Sequence, residues 1–190
     1  GGTFSFMAVQ MQFLLRGVLA WDLTEREGAL GLVYLCFGIA LLICTPLGGV
    51  AADRLPKRRV LIVSQATLLI AAAAMGIVVL TDVVQFWMLL VAAVTQGVAF
   101  GFYGPTRVAF TSEIVGRDQL GNAITLSMLS MNGTRVVAPA FAGALAGIVF
   151  IGIGGAYVVS AVFSFFSFVL LLRCPPGSTP RATSTASPFA

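Results

Sequence analysis

Gly48-Gly49-Val50-Ala51-Ala52-Asp53-Arg54-Leu55-Pro56-Lys57-Arg58-Arg59 is a short polar stretch set in apolar sequence. Apolar runs of about twenty residues, the length needed to cross a bilayer, lie on both sides of it. The stretch therefore reads as a tight turn between two spanning helices, at one face of a membrane. Its glycines permit close helix approach. Asp53 stands where the first helix leaves the bilayer, and the cations Arg54, Lys57, Arg58 and Arg59 follow at once. Basic residues so close to a span set topology, because they are retained on the cytoplasmic side.

Composition agrees with a membrane setting. The 190 residues are 58% hydrophobic and only 9% charged, whereas soluble domains carry roughly a quarter charged residues. The expected class is an all-α polytopic membrane protein. There is no His, which removes the commonest general base and metal ligand. No basic patch suggests nucleic acid, no carboxylates pair within a span, and no metal or cofactor site is indicated. Cys36 and Cys44 lie in an apolar helix and Cys174 lies at a helix exit, so neither a disulfide framework nor a metal site follows. Cys174 reads as apolar filler or as a juxtamembrane lipidation site. Gly1 is not an initiator Met, and no secretory leader opens the chain, so a truncated or processed N-terminus is expected.

Six segments satisfy the length rule, at about 3–21, 29–51, 59–80, 86–103, 123–150 and 155–172. The segment from about Gly104 to Gly121, containing Glu113, Arg117 and Asp118, is expected to form either a short interfacial helix or an irregular loop. Residues 174–190, rich in Pro, Ser and Thr, read as a disordered tail or linker. With this segmentation Arg54, Lys57, Arg58, Arg59, Arg107, Arg117, Arg173 and Arg181 fall on one side, and Arg26 alone falls on the other. The bias assigns the 2–3 loop, the 4–5 loop and the tail to the cytoplasm.

Polar groups inside spans each need a reason, because an ionisable group at mid-bilayer costs about 2.5–3.5 kcal/mol on insertion scales. Gln12 and Arg16 lie in the first span, Gln96 in the fourth, and Asn132 and Arg135 in the fifth. Arg16 either snorkels to the interface or faces a cavity. Arg135 is read as cavity-lining in preference to a structural contact. Its carbonyl is also the acceptor left free by Pro139. Gly97-xxx-Gly101 and Gly143-xxx-Gly147 fit close helix contacts.

The turn quoted above resembles motif A of the major facilitator superfamily: Gly, three residues, Asp, a basic residue, one residue, Gly, then two basic residues. Gly49, Asp53, Arg54, Lys57 and Arg58 fill these places, and Pro56 stands where the second glycine belongs. The fifth span carries Pro139 and Gly143 at the spacing of the antiporter motif (motif C) of the family's exporters. Ala138 and Ala142 stand in place of two of its glycines. Gln96-Gly97 match part of the helix 4 motif, with Ala93 where the family has an Arg tied to proton coupling.

Together these segments resemble the drug-exporter branch that includes macrolide and siderophore exporters. The resemblance implies the N-terminal half of a major facilitator fold, built as two inverted three-helix repeats. It implies alternating-access export of small amphipathic molecules, driven by an ion gradient with the proton as candidate coupling ion. The implied setting is a bacterial cell membrane, with lipid and a C-terminal six-helix half as partners. It makes Gly49, Asp53, Arg54, Lys57 and Arg58 a gating element in which Asp53 pairs with cations and with a helix N-terminus of the other half. Uptake or lysophospholipid flipping within the same family is one alternative; a non-transporting scaffold or sensor is another.

Overall fold

The computed structural model describes residues 2–115, 120–147 and 152–173. The tail at 174–190, Cys174, Arg117 and Asp118 lie outside the described residues. Within them the chain is entirely helical: α1 Gly2–Thr24, α2 Glu27–Arg54, α3 Lys57–Leu80, α4 Phe86–Val115, α5 Leu120–Gly147 and α6 Gly152–Leu172. Five of the six (α1, α2, α3, α4 and α6) are long and apolar enough to cross a membrane. The exception, α5, carries Asn132, Thr134 and Arg135 through its middle.

Turn chemistry explains where the helices stop. At the end of α1, Glu25 takes φ +50, and its N–H donates to the Trp21 carbonyl at 2.8 Å, closing the helix with a left-handed residue. Between α2 and α3 the decisive residue is Pro56. A residue before proline is pushed out of the helical region, and Leu55 is extended at φ -110, ψ 156. Pro56 then sits at φ -57 as the N-cap of α3, and its carbonyl accepts the Arg59 N–H at 2.8 Å. The proline that replaces a glycine of the family pattern thus fixes a two-residue turn.

The chain departs from sequence expectation after Gly104. No loop begins there; α4 continues through Pro105 to Val115. Proline removes one N–H and frees one carbonyl, here that of Gly101. That carbonyl lies against Gly48 of α2, on the side where a Cβ would be. The continuation is held by packing: Tyr103, Thr106 and Phe110 are buried, and the Arg107 guanidinium lies 4.6 Å above the Phe6 ring centroid.

The helices pack in pairs that follow one rule. α2 lies mainly on α4, α1 on α5 and α6, and α3 on α4 and α6. Exchanging α1 with α4, α2 with α5 and α3 with α6 maps each of these pairings onto another or onto itself. Sequence positions follow the exchange. Pro46 and Pro139 each lie 19 residues after the first residue of a 28-residue helix. Gln12 and Gln96 each lie 10 residues after the first residue of their helices. This is the relation expected of two inverted three-helix repeats.

The α2–α4 seam is the closest. A Cβ on Gly97 would lie 2.8 Å from Ala40 Cβ, and one on Gly101 would lie 2.7 Å from Cys44 Cβ. Small residues replace hydrophobic drive as the basis of helix association in lipid. By contrast, nothing lies within 4 Å of the corresponding point on Gly143, so that glycine makes no close helix contact among the described residues. The largest apolar cluster joins Met11, Leu15 and Leu19 of α1 to Leu89, Ala92 and Ala93 of α4, Ala138 and Ala142 of α5, and Tyr157 of α6.

Candidate functional site

Three polar regions stand out. The first is the α2–α3 turn. Asp53 and Arg54 close α2 and are exposed, while Gly49, Lys57 and Arg58 are half-buried. An acid at a helix C-terminus faces the negative end of the helix dipole, which disfavours it by ~0.3–1 kcal/mol. Among the described residues no cation lies within ion-pair distance of Asp53. Arg58 turns away from it, and its Nη2 donates to the Leu172 carbonyl at 2.9 Å. That bond places a cation on the last turn of α6, where the dipole favours it. The turn is thereby fastened to the end of α6.

The second region lies inside the bundle. Gln12, Arg16 and Gln96 are 1%, 2% and 0% exposed. Such burial excludes snorkelling of Arg16 to the interface. Gln96 Nε2 donates to Gln12 Oε1 at 3.1 Å, linking equivalent positions of the two repeats. The Arg16 guanidinium lies in the neighbourhood of the Tyr34 and Tyr157 hydroxyls. Among the described residues the Tyr157 hydroxyl, Arg16 Nε and Gln12 Nε2 have no hydrogen-bond partner.

This interior region holds a second buried network, near the other end of α1, which no local sequence pattern marks. Ser5 Oγ donates to Gln65 Oε1 at 2.8 Å. Ser5 Oγ also receives the Tyr103 hydroxyl at 3.1 Å and contacts the Ser167 hydroxyl at 2.5 Å. Gln65 Nε2 reaches the Ser164 carbonyl at 3.5 Å. One donated and two accepted bonds exhaust the capacity of the Ser5 hydroxyl. This knot ties α1, α3, α4 and α6 together.

The third region is the exposed surface of α5. At 3.6 residues per turn, Thr125, Asn132, Arg135, Pro139 and Gly143 fall within an arc of about 80°. All but half-buried Pro139 are exposed. Leu126, Val137, Ala140 and Ala144 occupy a separate exposed arc. Asn132 and Arg135 therefore do not join Gln12, Arg16 and Gln96. The former lie on the bundle surface, and the latter lie within it.

Apolar spanning helices related by an internal exchange define a polytopic helical membrane protein. The family model described as Major Facilitator Superfamily matches residues 1–189, and the chain belongs to that superfamily. The chain is 23% identical over 174 residues to the uncharacterized MFS-type transporter YfiS of Bacillus subtilis (strain 168), covering 87% of this chain. It spans 40% of that relative's length.

Proposed function

We propose that this chain is the N-terminal half of a secondary active transporter of the bacterial cell membrane. It exports small amphipathic molecules by alternating access, driven by an ion gradient with the proton as candidate coupling ion. In this reading the α2–α3 turn is cytoplasmic, as the basic residues on its side favour. A second six-helix unit completes the molecule. The share of YfiS that the chain covers supports this division.

One observation carries the reading. Asp53 sits exposed at an unfavourable helix end with no ion pair among the described residues, inside a turn that Pro56 holds rigid. An acid so placed is a group awaiting an external cation or helix N-terminus. Its partner in the second half would close the cytoplasmic side and hold the outward-open state. Pro139 and Gly143, on the polar arc of α5, support export over uptake by their motif C spacing. Arg135 and Asn132 on that arc would line the cavity between halves. The buried Gln12, Arg16 and Gln96 would set the position of α1 against α4 behind it.

The test is Asp53→Asn in the full-length transporter, reconstituted in vesicles. An ion pair worth ~1.4 kcal/mol shifts the two-state equilibrium tenfold. Transport should fall by about that factor or more, with normal insertion. Full activity would overturn the gating role.

A further inference from the structure

The α3–α4 side of the bundle holds two cavities in line. One, of about 430 Å³, runs from Pro56 and Arg59 past Val63 to Thr67, with Val98 and Phe102 of α4 as its other wall. The next, of about 420 Å³, begins at Thr67 and runs past Ala71 and Ala74 to Val78, with Trp87 and Val91 opposite. They share Thr67, so together they form one furrow along α3. At 1.5 Å per residue, Arg59 to Thr67 spans about 12 Å, close to the depth of one leaflet's hydrocarbon. The first cavity therefore matches one leaflet, and the second the other.

Their ends differ in charge. Arg59 lines the mouth of the first cavity. Its side chain is exposed, and no carboxylate pairs with it among the described residues. The mouth of the second has Trp87 and no cation, and the adjoining turn carries Asp82. An apolar slot of acyl-chain depth with a free guanidinium at its rim suits a lipid with a negatively charged headgroup.

We propose that the Arg59 cavity binds an anionic phospholipid, with one acyl chain in the slot between Val63 and Phe102 and the phosphate on Arg59. The Trp87 cavity takes lipid without regard to headgroup charge. Neither statement depends on transport direction or on which leaflet is cytoplasmic.

Brominated phospholipids quench tryptophan fluorescence on contact, and the two native tryptophans, Trp21 and Trp87, can be replaced to leave one reporter. The variant Val63→Trp with Trp21→Phe and Trp87→Phe reports on the first cavity. The variant Trp21→Phe alone leaves Trp87 to report on the second. Each is reconstituted in phosphatidylcholine with brominated phosphatidylglycerol or brominated phosphatidylcholine as competitor. The Val63→Trp reporter should favour phosphatidylglycerol about fivefold, the contribution of one cation at a membrane surface. Adding Arg59→Gln should abolish the preference without abolishing quenching. The Trp87 reporter should show no preference.

Equal quenching by both lipids at the first reporter, or a preference that survives Arg59→Gln, would overturn the proposal. So would absence of quenching there, which would show the slot to be covered by protein. Native mass spectrometry of the unaltered chain provides the control for the substitution itself. Retained phosphatidylglycerol should exceed phosphatidylcholine, and Arg59→Gln should remove the difference.

Discussion

The Ser5 knot and the α5 arc both place polar groups at membrane depth, yet they solve opposite problems. In the knot, Ser5, Gln65, Tyr103 and Ser167 are buried and find each other across four helices at 2.5–3.1 Å. The bundle satisfies them from within. On α5, Asn132 and Arg135 are exposed, beside apolar neighbours such as Val136 at 74% exposure. An arginine facing lipid at that depth is strongly disfavoured, so in the proposed reading this arc meets water or protein that the six helices do not supply. The contrast separates what holds the bundle together from what it presents to something else. In the proposed reading Asp53 belongs with the second group.

That contrast can be broken at several points. The largest effect expected is on transport, from Arg135→Leu in the full-length protein. It should reduce transport at least tenfold while leaving the thermal unfolding of the isolated chain in detergent unchanged. A loss of fold with Arg135→Leu would place the residue in the structural group instead. Gln65→Leu should do the reverse. It strands buried partners in the knot and should destabilise the isolated chain by about 1–3 kcal/mol, measured by denaturant or thermal unfolding in detergent. Tyr103→Phe removes one donor to Ser5 and leaves its other bonds in place, so a loss of about 1 kcal/mol is expected. The smallest effect is that of Arg58→Gln. It withdraws the cation from the end of α6 and should cost about 0.3–1 kcal/mol, most readily seen as faster amide exchange near Leu172.

The fold class was legible because apolar length alone distinguishes spanning helices. The α2–α3 turn was legible for a similar reason: Pro56 and the run of cations act locally. Helix ends set by packing were less so. Gly104 and Pro105 look like a stop, yet α4 continues with Thr106 and Phe110 buried, Phe110 in a cluster with Leu61 of α3. Nothing in the local sequence announces those neighbours. The Ser5 knot was invisible for the same reason. A lone Ser near a helix start and a Gln eight residues inside α3 acquire meaning only when the register between helices is known. Arg16 shows a third limit. Its position permitted snorkelling or an inward course, and only its burial in the folded bundle decides between them. Asn132 and Arg135 were recognisable as costly residues, but their lying apart from Gln12 and Gln96 follows from how α5 is rotated against α1.

The most direct test of the account is cysteine accessibility along α5 in the full-length protein, in native membranes, with Cys36, Cys44 and Cys174 replaced by Ala. Single substitutions Asn132→Cys, Arg135→Cys, Leu126→Cys and Val137→Cys would be treated with a membrane-impermeant maleimide from each side. Positions 132 and 135 should react, and positions 126 and 137 should not, if the first pair lines the proposed cavity and the second faces lipid. Equal reactivity at all four, or reaction confined to 126 and 137, would contradict the division of the α5 surface on which the proposed transport path rests.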